Sequence, residues 1–175
     1  PWKGGYFSTY EGNNRTAGII RWPGKIKPGK TDGIMHVVDW FPTLLAMIGH
    51  PDKVPTDRVI DGIDQTAFIT GQQENSNRNK FPMYFDSLHV GWRYKNFKIL
   101  THKIEHGFAP IQQLAAPHGI NLTVNPDEDL PMNYEYVHSW LLYKVVPALN
   151  AEHYASLEKD SVPFMAPLDF NPYKK

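Results

Sequence analysis

No cysteine occurs anywhere in the 175 residues. That absence excludes disulfide staples and thiolate metal sites, and it leaves the redox compartment undetermined. The fold must therefore rest on a buried core, which a chain of this length can form as one domain or slightly more. Eighteen basic and eighteen acidic side chains cancel, so there is no electrostatic case for nucleic acid or an anionic membrane as partner. No apolar run approaches the ~20 residues of a membrane span. The chain starts at Pro1 rather than Met. It is therefore expected to be a piece of something longer, with targeting information outside it.

The stretch that organises the chain runs from Ser8 to Arg15 and on through Ala17 to Ile26. It reads as a polar, glycine-bearing loop feeding a short apolar strand over 17–21, which stops at the turn signal Trp22-Pro23-Gly24. A loop carrying an acid, an amide pair and an arginine can hold a site. The plainer alternative is a hairpin corner with solvated charges. A helix follows, with Asp39 as N-cap, Pro42 in the first turn and Gly49 closing it. Trp40, Phe41, Leu44, Leu45 and Ile48 recur at three- and four-residue spacing, which predicts a core-facing stripe. His36, just before the helix, reads as a packing or surface residue rather than a ligand. Residues 50–80 are loop-rich, and the polar run 72–80 is the natural linker.

From Phe81 the pattern is strand-like. Met83–Phe85, Val90–Tyr94 and Phe97–Leu100 are aromatic and β-branched segments with polar punctuation, which predicts an antiparallel meander. Residues 133–160 read as a helical region that Pro147 should break or kink. The tail from Asp160, with Pro163, Pro167 and Pro172, reads as an extended arm. No histidine pair shows metal-ligand spacing: His102 and His106 are four apart but lie at a strand end and loop. Asn14-Arg15-Thr16 and Asn121-Leu122-Thr123 fit the common N-glycosylation pattern.

The run STYEGNNRTAGIIRWPGKIKPG resembles the signature of the sulfatase family, a Tyr/Trp-Glu-Gly-Gly-x-Arg-Val-Pro loop followed by a strand ending in Arg-Trp-Pro-Gly. Four further segments resemble that family in its own order. They are VVDWFPTLLAMIG, the IDGID with FITG pair, VGWRYKNFKIL with INLT and NPDE, and YEYVHSWLLYKVVPALNAEHYASL; the resemblance makes Ile120–Thr123 the last strand of the small sheet. The resemblance implies an α/β fold. Residues 1–74 would form the C-terminal end of a sulfatase catalytic domain, and 75–175 a small subdomain of antiparallel sheet, helix and Pro-rich tail. It also implies a parent in the alkaline-phosphatase superfamily that hydrolyses sulfate esters with formylglycine and calcium. A phosphatase or phosphodiesterase cousin is disfavoured by the Glu-Gly and Arg-Trp-Pro-Gly run.

None of the family's metal carboxylates, nor its nucleophile, can be placed on this sequence. The nearest match to Cys/Ser-x-Pro-x-Arg, Ser161-Val162-Pro163-Phe164-Met165, lacks the arginine and is rejected. One substrate-binding lysine of the family lies five residues before the loop glutamate, and that register arrives at Tyr6. Lys3, three residues upstream, is the alternative cation. Asn13-Asn14 and Thr16-Ala17 also depart from the family loop. Glu11 and Arg15 match it, and a structural ion pair is at least as good a reading for them as a substrate role. The resemblance thus implies an inactive portion of an arylsulfatase-like hydrolase, partnered by the rest of its catalytic domain and by a sulfate ester in the parent. Its cofactors would lie outside this chain, and its setting would be periplasmic, secreted or lysosomal. The rival is a non-catalytic homologue that binds a sulfated glycan or a protein partner.

Overall fold

Short polar links between aromatic-rich segments produce the expected meander in the computed structural model, which describes residues 2–130 and 140–159. Strands β1 (Lys80–Phe85), β2 (Leu88–Tyr94), β3 (Phe97–Lys103) and β4 (Gln112–Asn121) pair antiparallel in the order β1-β2-β3-β4. Asp86 and Lys95 sit at the two hairpin tips with φ of 53° and 50°, the left-handed conformation that two-residue hairpin turns require. The last strand begins at Gln112, well before the expected Ile120, and ends at Asn121. Its first half, Gln-Gln-Leu-Ala-Ala-Pro, has no alternation to betray it, and pairing with β3 decides its conformation.

A β-bulge divides the sheet's two cores. The β1–β2 register passes from Met83 opposite Gly91 to Tyr84 opposite His89, leaving Val90 unopposed. The extra residue re-aims Val90 into a cluster with Met83, Leu100, Ile104, Ile120 and Leu122. The other cluster joins Trp92 and Ile99 to Leu141, Val146 and Leu149 from the C-terminal helix. That helix is a π-helical turn over Leu141–Val145 running into α4 (Val146–Lys159). The break expected at Pro147 takes this form, since a proline has no N–H for the preceding α-helical turn. Polar contacts fasten α4 to the sheet: Trp92 Nε1 donates to Asn150 Oδ1 at 2.8 Å, Tyr84 Oη lies 2.6 Å from His153 Nε2, and Lys80 pairs with Glu152. The expected helical residues 133–139 and the tail from Asp160 lie outside the described residues.

The first half departs further from the sequence reading. Residues 17–21 form no strand, and Ile19 is 90% exposed. A strand needs a neighbour for its ladder, and no described segment lies alongside. Helix α2 (Trp40–Met47) does form, after a 3₁₀ turn over Val37–Asp39. It ends as expected at Gly49, whose φ of 84° lets His50 N–H reach Leu45 O and Gly49 N–H reach Ala46 O, a Schellman closure. Asp39 is not its side-chain cap, however; His36 caps the preceding turn instead. The predicted core stripe is also overturned. Pro42 and Thr43 face inward, with Thr43 Oγ1 accepting from Gln65 N–H at 3.0 Å, while Phe41, Leu44 and Ile48 stand exposed. Nor is 72–80 a free linker. Ser76 and Asn77 bond to Gln65, Asn77 also to Asp64, and Arg78 is buried against Asp39.

An uncovered stripe of this kind marks an interaction surface. Ile19, Val37, Phe41, Leu44 and Ile48 all contribute large apolar side chains to solvent. The 175-residue chain alone is expected to bind a hydrophobic dye and to self-associate in light scattering. A monodisperse monomer without dye binding would contradict this.

Candidate functional site

The loop named by the sequence is held in place by a buried charge knot. Residues Glu11–Asn14 form a single helical turn, α1. Gly12 N–H donates to Lys3 O at 2.8 Å, and a Cβ on Gly12 would lie 2.3 Å from Gly4 O, so only glycine fits this close approach. Thr9 and Ile104 exchange hydrogen bonds, Thr9 N–H to Ile104 O at 3.0 Å and Ile104 N–H to Thr9 Oγ1 at 3.1 Å. Tyr10 Oη donates to Glu105 Oε2 at 2.5 Å. The loop is thereby tied to the far end of β3.

Beneath it, Lys98 on β3 is fully buried between two carboxylates. Its Nζ lies 3.3 Å from Glu11 Oε1 and pairs with Glu128. Glu11 N–H donates to Glu128 Oε2 at 2.6 Å, and the other Glu11 oxygen pairs with Arg15 Nε. Burial pushes the Glu11 carboxyl up, but Lys98, Arg15 and Arg93 together outweigh it and hold the pKa below its ordinary value. Burial pulls the Lys98 ammonium down, and its two carboxylates only partly oppose this. Such desolvated groups persist because each has a partner.

A second buried pair stands nearby. Asp39, with no solvent exposure, accepts from Arg78 Nη2 at 2.5 Å, from Ile63 N–H at 2.8 Å and from His36 N–H at 2.9 Å. Burial raises its pKa, but the Arg78 guanidinium and the two backbone donors win and hold it below the ordinary carboxylate value. Between the two charged centres opens a cleft of about 1080 Å³. The loop (Glu11, Arg15), the 32–38 segment, β1 and β2 (Tyr84, Arg93) and α4 (His153, Leu157) line it.

The residues singled out from sequence fall in different places. Glu11 and Arg15 meet in the knot. Lys3 Nζ donates to Glu128 O at 3.2 Å and lies 4.8 Å from the centre of the Tyr10 ring. Tyr6 points outward, 84% exposed, touching Phe7 edge-on with ring centres 5.0 Å apart. Sequence reasoning missed Lys98, Glu128, Arg93 and the Asp39–Arg78 pair. A signal existed for Lys98: a lone lysine inside the apolar run Phe97-Lys98-Ile99-Leu100 has apolar neighbours on both faces. Among the described residues no group of three His, Cys, Asp or Glu is placed to hold a metal ion. The described residues therefore do not fit a calcium site.

No family model matches the chain. Steryl-sulfatase of Rattus norvegicus is 35% identical over 99 residues, covering 54% of this chain and 17% of that protein. Arylsulfatase A of Homo sapiens is 30% identical over 112 residues, covering 63% and 22%. The crystal structure of PsFucS1 sulfatase from Pseudoalteromonas sp. superposes with a TM-score of 0.79 at 26% identity, covering 95% of this chain and 34% of that one. The chain thus spans about a fifth of the length of these two curated relatives and about a third of the solved one. Sulfatases match it in sequence and in fold, consistent with a C-terminal sulfatase portion.

Proposed function

We propose that this chain, a sulfatase portion by sequence and by fold, completes an arylsulfatase-like hydrolase that cleaves sulfate esters. The observation that carries the reading is the superposition of nearly the whole chain on a solved sulfatase. Calcium and formylglycine would come from the rest of that protein, where the metal offsets charge and the hydrated aldehyde supplies the nucleophile. Residues 1–74 would close the catalytic domain and 75–175 would form the C-terminal subdomain. The exposed stripe of α2 would then rest on the remainder of the catalytic domain. Tyr6 would offer a neutral donor near the sulfate, or Lys3 a cation. A periplasmic, secreted or lysosomal setting goes with the reading. No helix among the described residues is long and apolar enough to cross a membrane.

One observation favours a second reading, a homologue that binds sulfated glycan or a protein without turnover. The position that carries a lysine in the family holds Tyr6, a phenol that stays neutral below pH ~10. A chromogenic aryl sulfate with calcium separates the two. The full-length parent is expected to turn it over, and the 175-residue chain is expected to match a heat-treated control. Turnover by the short chain would refute its assigned role. A parent that is silent but retains sulfated glycan on a column would establish the non-catalytic reading.

A further inference from the structure

Helix α4 is docked in two different ways along its length. Its buried residues, Val146 and Leu149, both lie in the first half, where they join Trp92 and Ile99. From Asn150 on, no residue of α4 is buried, and polar and aromatic contacts close the seam between helix and sheet. Asn150 takes the Trp92 indole N–H, Glu152 pairs with Lys80, His153 meets Tyr84, and Tyr154 Oη lies 2.9 Å from His89 Nδ1. This second half supplies His153, Ser156 and Leu157 to the wall of the cleft. A segment held without buried apolar side chains opens at lower cost than the rest of its fold.

Two imidazoles sit in that seam. The ring centres of His89, on β2, and His153 are 5.7 Å apart, and each ring stands nearly perpendicular to Trp92, at 5.3 and 5.5 Å. His89 Nε2 lies 2.9 Å from Gly91 O, an oxygen that only accepts, so Nε2 carries the proton and Nδ1 accepts from Tyr154. With both rings neutral the seam carries no repulsion between them. One imidazolium gains a cation–π contact with Trp92. A second meets the charge of the first in a half-buried seam, where repulsion is screened less than in water. The surrounding charges do not relieve both. Asp61 and Glu152 favour a charged His153, but Glu152 is already bound by Lys80, and the charges bearing on His89 are other histidines, His153 and His102. Tyr84 and Tyr154 are the remaining titratable groups in contact, and phenols stay neutral throughout the histidine range. Burial pulls both imidazole pKa values below the ordinary histidine value.

We propose that the second half of α4, residues 150–159, is a pH-operated wall of the cleft, docked while His89 and His153 are neutral and released when both are protonated. A released helix end exposes both rings to water, where they take up protons below about pH 6.5. The docked seam binds fewer protons, so docking loses stability as the pH falls through about 6.5 toward the lower folded values. That window lies above the range of about pH 4 in which buried carboxylates such as Glu11 and Asp39 begin to lose their charge, so the core and the charge knot stay intact while the wall moves. The switch stands on the seam itself and goes beyond the sulfatase reading. Its failure would leave that reading untouched.

Hydrogen exchange of the 175-residue chain, read by mass spectrometry on its peptic fragments and corrected for the intrinsic pH dependence of exchange, tests it whether or not the chain self-associates. Between about pH 7.5 and about pH 5.5, opening of residues 150–159 should rise on the order of tenfold, while 141–149 and β2 keep their protection. His89→Asn keeps an acceptor for Tyr154 and His153→Gln a partner for Tyr84, but neither replacement takes up a proton. The double variant should hold 150–159 equally at both pH values. Each single variant should lose most of the response, because the repulsion needs both charges. His106→Gln, which removes an exposed histidine from the loop after β3, should respond as wild type. The proposal is overturned if wild-type protection of 150–159 is the same at both pH values or if 141–149 opens with it. It is equally overturned if the single or double replacements respond like wild type, if the double variant is already open at the higher pH, or if His106→Gln flattens the response.

Discussion

Lys98→Met is expected to cost about 3–5 kcal/mol, the range for removing one partner of a buried ion pair. The methionine fills the space of the lysine stem, so packing around β3 changes little. What changes is charge: Glu11 and Glu128, both buried, lose the cation that bridges them. A domain of this kind has roughly 5–15 kcal/mol in total, so the variant should sit near its unfolding threshold. Urea denaturation read by circular dichroism measures it. The companion variant carrying Lys98→Met with Glu11→Gln and Glu128→Gln should recover part of the loss, because no carboxylate is then stranded. A Lys98→Met midpoint equal to wild type would mean that the knot contributes nothing.

Asp39→Asn should be of similar size, again about 3–5 kcal/mol. The amide keeps the shape and an acceptor for Ile63 or His36, but it leaves Arg78 buried without a counter-charge. The damage should spread, because Arg78 and Asp39 tie the 61–78 segment to the start of α2. The same chemistry sets an acid limit. Asp39 and Glu11 both have folded pKa values below their ordinary ones, so the unfolded chain binds more protons as the pH drops. Their stabilisation is complete above the ordinary carboxylate range of about pH 4 and is lost as pH falls through the lower folded values. Wild-type stability should therefore fall steeply below about pH 4, and Asp39→Asn should flatten part of that fall. Identical acid profiles for the two proteins would dismiss Asp39 as a contributor.

The sheet was legible in the sequence because its information is local. Lys95-Asn96 between two aromatic segments specifies a hairpin whatever surrounds it. The loop was legible by resemblance, through Glu11 and Arg15. What failed depended on distant partners. Asp39 looks like a helix cap until Arg78, far along the chain, claims its carboxylate. Phe41, Leu44 and Ile48 have the spacing of a core stripe, but spacing does not say whether anything lies opposite. Residues 17–21 have strand composition and no ladder to join. Arg93 lies inside the expected strand Val90–Tyr94, and only the fold shows that it is buried beside Glu11.

The edges of the sheet decide how molecules of this chain can meet. β1 and β4 are the outer strands, and each contains a proline, Pro82 in one and Pro117 in the other. A proline has no N–H to offer an incoming strand, so neither edge presents an unbroken row of donors for extension. Association through the α2 stripe is then contact between apolar faces, without growth of the sheet from chain to chain. Assemblies of this chain should be soluble clusters that disperse in mild detergent and leave an amyloid dye dark.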